Sequence, residues 1–66
     1  MLNGLKLREL RTMKGYTTLD VSRFTHISKS YIEELERGDK LNPAFNKVVF
    51  LAKILGVKVD DLILSV

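Results

Sequence analysis

The chain has no cysteine and a single histidine, His26, which excludes a disulfide framework and the usual Cys/His zinc sites. It also lacks any long apolar run. The longest, Val48-Val49-Phe50-Leu51-Ala52, stops at Lys53, far short of the roughly 20 residues that span a bilayer. No charged, apolar and cleavage-site pattern of a signal peptide opens the chain, so a cytoplasmic location is the expectation. There is no low-complexity segment, no internal repeat, and no stretch that alternates over strand length. Phosphate-binding glycine motifs are absent too. No nucleophile has a His and carboxylate set that caps and turns do not already explain, so neither an enzyme nor a cofactor is expected.

What remains is 66 residues, 45% hydrophobic and 29% charged, the composition of a folded globular chain. That length makes one domain, residues 1–66, near the lower size at which a core forms without staples or a partner, so self-association is a natural expectation. Eleven Lys and Arg against eight Asp and Glu give a net charge of +3, which points, without much specificity, to a polyanionic partner.

Apolar residues recur at three- and four-residue spacing, and glycines punctuate the pattern at 15, 38 and 56. The reading is an all-α fold of five short helices. The first runs from about Leu5 to Lys14, with Leu7 and Leu10 inward and Gly15 in the left-handed position that ends a helix. Thr17 caps a second over Thr18 to Thr25, helped by Asp20 three residues on and burying Val21. Ser28 caps a third, ending near Arg37, with Ile32 and Leu35 inward and Ile27 placed as a hydrophobic staple. Pro43 keeps Asn42 out of a helix. A fourth helix, Phe45 to Leu55, is apolar nearly all round and reads as the central one, burying Val48, Val49, Leu51, Ala52 and Leu55. Val59 to Leu64 make the fifth, with Asp60 and Asp61 in its first turn.

The second and third helices are too close in sequence to lie antiparallel and must cross steeply, which is helix-turn-helix geometry. Such a pair turns the start of its second helix outward. Here that start reads Ser28-Lys29-Ser30: two hydroxyls and a cation beside free backbone N–H groups and the positive end of the helix dipole, which suits phosphates and base edges.

The segments "LRELRTMKGYT", "ISKSYIEELERG", "NP" and "LAKILGVKVDDLI", in this order and spacing, resemble the Xre/Cro/phage-repressor type of helix-turn-helix domain over about residues 4–64. The Lys-Gly-Tyr, Lys-Ser-Tyr and Asn-Pro elements look most like SinR-type repressors. The resemblance implies a sequence-specific, double-stranded DNA-binding transcriptional regulator, a repressor by type. The chain departs from the family pattern at Thr18 (commonly Gln), Ser22 (commonly Ala), His26 (commonly Gly), and the cap positions Ala44 and Lys58 (commonly Ser). The first departure puts one DNA contact in doubt. His26 is tolerable because His is enriched at positive φ, and the uncapped positions predict frayed helix starts.

The resemblance also sorts the charges. It makes Arg11 and Glu36 a structural ion pair, Lys29, Ser30 and Glu34 base-reading positions, and Thr17, Thr18, Ser28, Lys40 and Asn42 backbone-contacting ones. Arg23 is an additional candidate. Tyr31 is either core edge or a phosphate contact, and Glu34 either accepts from a cytosine amine or is a rim residue. Glu33 lies four residues from both Lys29 and Arg37, so it has an intrahelical partner available on either side or is a solvated face. His26 is explained by its turn and by nothing else. A homodimer is expected, with Ile63, Leu64 and Val66 as the patch; the other reading is that Leu62 and Ile63 complete the core. The alternative function on the same fold is an antitoxin or anti-repressor whose main partner is another protein.

Overall fold

The computed structural model describes residues 1–64, so the expectation placed on Val66 lies outside the described residues. Four α-helices, α1 (Gly4–Met13), α2 (Thr18–Thr25), α3 (Lys29–Arg37) and α4 (Phe45–Leu55), are followed by one 3-10 turn, Val59–Leu62. Among them no helix is long and apolar enough to cross a membrane.

α1 begins one residue earlier than expected because Asn3 caps it, its side-chain oxygen accepting from the Lys6 N–H at 3.1 Å. Gly4 is what permits that start. A Cβ there would stand 2.2 Å from the Leu35 carbonyl oxygen, so the backbone of α1 can approach the last turn of α3 this closely only at a residue with no side chain. At its other end Gly15, at φ +73°, reverses the chain, and the Tyr16 N–H returns to the Arg11 carbonyl at 3.1 Å while the Gly15 N–H meets that of Thr12 at 3.0 Å.

The core gathers Leu7 from α1, Val21 from α2, Ile27 from the turn, Ile32 and Leu35 from α3, and Val48, Leu51, Ala52 and Leu55 from α4. Leu10 and Val49, expected inside, are only half-buried. Nor is α4 buried all round. Phe45 and Phe50 are 71% and 46% exposed on different sides of the helix, and Phe50 shares its outer side with the exposed Asn46 and Lys53.

The fifth helix needs correction. Val59–Leu62 is a single 3-10 turn that drops Leu62 fully into the core, and the chain then straightens at Ile63, φ −103° and ψ 135°. Ile63 forms an isolated antiparallel bridge with Leu2, supported by the Asn3 N–H on the Leu62 carbonyl at 2.7 Å and the Leu64 N–H on that of Met1 at 3.0 Å. A helix through Leu64 would break these bonds and withdraw the buried Leu2. The two ends of the described chain therefore close on each other.

Arg11 joins three parts of this frame. Its guanidinium donates through Nε and Nη2 to the two oxygens of Glu36, at 2.5 and 3.0 Å, and through Nη1 to the Tyr16 carbonyl at 2.7 Å. The side chains are only 13% and 8% exposed, and the Glu36 hydrogen bonds raise the Arg11 pKa above its already high value. Removing one partner strands the other charge. Arg11→Ala and Glu36→Ala should each lower unfolding free energy by roughly 3 kcal/mol, the low end for a desolvated pair. Denaturant titration gives the value; losses under about 1 kcal/mol for both would place the pair with ordinary surface bridges.

Candidate nucleic-acid interface

The angle between α2 and α3 comes from three residues, His26 to Ser28, and from the caps around them. Thr17 and Asp20 exchange hydrogen bonds at the start of α2: the Thr17 hydroxyl accepts from the Asp20 N–H at 3.0 Å, and an Asp20 carboxylate oxygen from the Thr17 N–H at 2.8 Å. His26 ends α2 in the left-handed region, φ 61°, with its N–H on the Ser22 carbonyl at 2.8 Å. Its imidazole is exposed, so the backbone conformation accounts for its place. Ser28 starts α3 by accepting from the Tyr31 N–H at 3.2 Å. Beneath the turn, the buried Thr25 hydroxyl donates to Val21 at 2.7 Å and accepts from the Ile27 N–H at 3.3 Å. No buried side-chain polar atom among the described residues is left without a partner.

Because Ile32 and Leu35 take the inner side of α3, Ser28, Lys29 and Ser30 stand exposed at its start, with Glu33 and Glu34 half-exposed one turn on. Thr17 is exposed at the start of α2, and Thr18 is half-buried with its hydroxyl donating to Glu33 at 3.2 Å. The other Glu33 partner is Lys29, whose Nζ lies 3.1 Å from the same carboxylate oxygen. Arg37, the second cation within helical reach of Glu33, instead pairs with Asp39 at 2.9 Å. Among the described residues Glu34 has no cation within 4 Å.

Tyr31 packs its ring against the core, and the Lys47 ammonium from α4 sits over that ring, 4.2 Å from its centroid. Lys40 is exposed in the loop after α3, its N–H reaching back to the Glu34 carbonyl at 3.4 Å. Asn42 is exposed as well, but it borders a shallow apolar cleft made by Met1, Leu41, Pro43 and Phe45. Arg23 is exposed on the last turn of α2. The links from Thr18 to Glu33 and from Lys47 to Tyr31 were invisible to sequence reasoning, because each joins different helices at separations that no periodic pattern marks. Among the described residues no three His, Cys, Asp or Glu side chains are grouped as metal ligands.

Asp20 provides a pH test of this framework. The Thr17 backbone N–H, and secondarily its hydroxyl, hold the Asp20 carboxyl below its ordinary value of 3.8. A depressed folded-state pKa stabilises the fold above the unfolded value, and the contribution disappears as pH falls through the folded one. The stability difference between wild type and Asp20→Asn should therefore be constant near neutrality and shrink below 3.8. Urea midpoints at several pH values measure it; a difference independent of pH would separate Asp20 from the cap.

Comparison with known proteins agrees with this geometry. A family model described as a helix-turn-helix domain matches residues 4–66. The HTH-type transcriptional regulator DdrOP3 of Deinococcus deserti is 38% identical over 58 residues, 88% of this chain but 44% of that protein, so the chain spans less than half of this relative. The restriction-modification controller protein C.AhdI of Aeromonas hydrophila superposes with a TM-score of 0.82 at 31% identity, covering 88% of this chain and 86% of the other. SinR, the master regulator for biofilm formation, solved in complex with DNA, superposes with a TM-score of 0.85 at 25% identity, covering 89% and 97%; SinR is a Bacillus subtilis protein. With the family model covering nearly its whole length and Xre-type regulators superposing over most of it, the chain belongs to the Xre-type helix-turn-helix family.

Proposed function

We propose that the chain is a sequence-specific regulator of transcription, a repressor by type, that places the start of α3 in the major groove of double-stranded DNA. One observation carries this reading: Ser28, Lys29 and Ser30 stand exposed at the start of α3, beside a second capped helix start at Thr17 and Thr18. Both ends present backbone N–H groups and a positive dipole toward phosphates. Lys29, Ser30 and Glu34 are then the base-reading side chains. Thr17, Thr18, Ser28, Tyr31, Lys40 and Asn42 hold the backbone. No step of this function requires a cofactor or a reaction.

Readout and attraction separate by mutation. Lys29→Ala and Ser30→Ala should lose roughly 1–3 kcal/mol of specific affinity and relax preference at defined base pairs. Lys40→Ala should weaken all duplexes alike and reduce the slope of log affinity against log salt by about one unit. Glu34→Gln should tighten unspecific binding while altering the base chosen opposite it. Anisotropy titrations across an operator scan report all four. Unchanged binding in Lys29→Ala and Lys40→Ala would favour the antitoxin or anti-repressor reading, for which exposed apolar side chains such as Leu5 and Met13 of α1 and Phe50 of α4 are available.

We also propose an isologous homodimer. Ile63 already serves Leu2, so the patch shifts toward Leu64, 42% exposed, with Leu41 and Phe45 at 40% and 71%. A small chain with one reading helix gains specificity by pairing on a two-fold site. Phe45→Ser with Leu64→Ser should reduce self-association in sedimentation equilibrium and leave the circular dichroism spectrum helical. A wild-type chain that is monomeric at high concentration excludes the dimer.

A further inference from the structure

Building on the DNA-binding reading, we infer that Glu33 fixes the two helix starts of the interface in one arrangement and repels unmatched duplexes, so that it sets the ratio of matched to unmatched binding. A single carboxylate oxygen, Oε2, accepts from the Thr18 hydroxyl at 3.2 Å and pairs with the Lys29 ammonium at 3.1 Å. The donors belong to different helices, and both are assigned to DNA above. One oxygen thus ties the start of α2 to the start of α3.

Arg8, Arg11 and Arg37 line one cleft with Glu33, but among the described residues none of them lies within 4 Å of its carboxylate. Arg11 is committed to Glu36 and Arg37 to Asp39, which leaves Lys29 as the cation within 4 Å of Glu33 among the described residues. The Lys29 hydrogen bond, and behind it that of Thr18, hold the Glu33 carboxyl below the ordinary range, so it is charged at neutral pH. Its side chain is 37% exposed, within reach of an approaching polyanion.

An ammonium has three donors. Lys29 can keep Glu33 on one and offer another to a base acceptor lying where the pinned stem points, so a matched site leaves the pair intact. A phosphate drawn to the same ammonium along other lines meets the carboxylate, and like charges at an interface are strongly unfavourable. Glu33 is a positioning residue: it acts through Lys29 and Thr18.

Glu33→Gln removes the charge and retains an oxygen for Thr18. Wild type and variant are titrated by anisotropy against a random-sequence duplex and against a duplex selected by the wild type from a random pool. The variant should bind the random duplex roughly three- to tenfold more tightly, with the selected duplex changing less, so that the ratio falls. Equal shifts on both duplexes, or none, overturn the inference. A second arm uses no DNA: in Thr18→Val, the Glu33 carboxyl followed by NMR should titrate closer to the ordinary range, and an unmoved midpoint denies the shared oxygen. If the wild type binds no duplex, the DNA reading fails and this role with it. If the wild type binds and only the ratio is unmoved, the DNA reading stands and the role of Glu33 falls.

Discussion

The three hydrogen bonds of the Arg11 guanidinium govern the rest of the molecule. They reach both oxygens of Glu36 at the end of α3 and the Tyr16 carbonyl in the reversal before α2, so one planar group sets where α1, the entry to α2 and the exit of α3 lie. Lysine could not substitute, since its compact ammonium lacks the fork that fits a carboxylate bidentately while a third N–H points elsewhere. A buried ion pair of this kind adds little net stability over an apolar replacement. Its consequence here is geometric. With the exit of α3 fastened to α1, and Gly4 letting the two backbones nearly touch, the start of α3 points away from the frame.

Local devices then set the fine angle. The Thr17–Asp20 exchange stops α2 from beginning earlier, and the left-handed His26 stops it from continuing. Ser28 restarts a helix after three residues. Each satisfies backbone groups that a helix end leaves open, so the turn is short without orphaned donors. Ile27 fills the inner side of the turn, which keeps the surface there free for side chains that serve no packing purpose.

How much of this could be read from the sequence depends on whether the cause was local. The extents of α2, α3 and α4 were legible because Thr17, Ser28, His26 and the glycines after α3 and α4, Gly38 and Gly56, act within four residues. The start of α1 was off by one because Gly4, a poor helix former, hid the Asn3 cap; its reason for being glycine lies 31 residues away at Leu35. The last segment was misread as a helix because its partner is Leu2, at the other end of the chain. For the candidate site, the residue types at the start of α3 were visible and their couplings were not. Glu33 showed two cations at equal helical spacing, and only the folded chain, by giving Arg37 to Asp39, leaves it to Lys29.

The same pairs decide where attraction to a polyanion resides under the proposed function. α3 carries two cations, Lys29 and Arg37, against three carboxylates, Glu33, Glu34 and Glu36, so the helix assigned to reading bases is not itself basic. Glu36 is spent on Arg11 and Glu33 on Lys29, and each pair is neutral. The net charge of +3 must therefore come from residues outside the pairs, such as Lys40 after α3 and Lys47 over Tyr31. Attraction and discrimination then belong to different side chains. Lysines around the rim draw the duplex at any sequence, while a near-neutral helix gains contact only where donors and acceptors match base edges. A more basic α3 would bind more tightly everywhere and distinguish less.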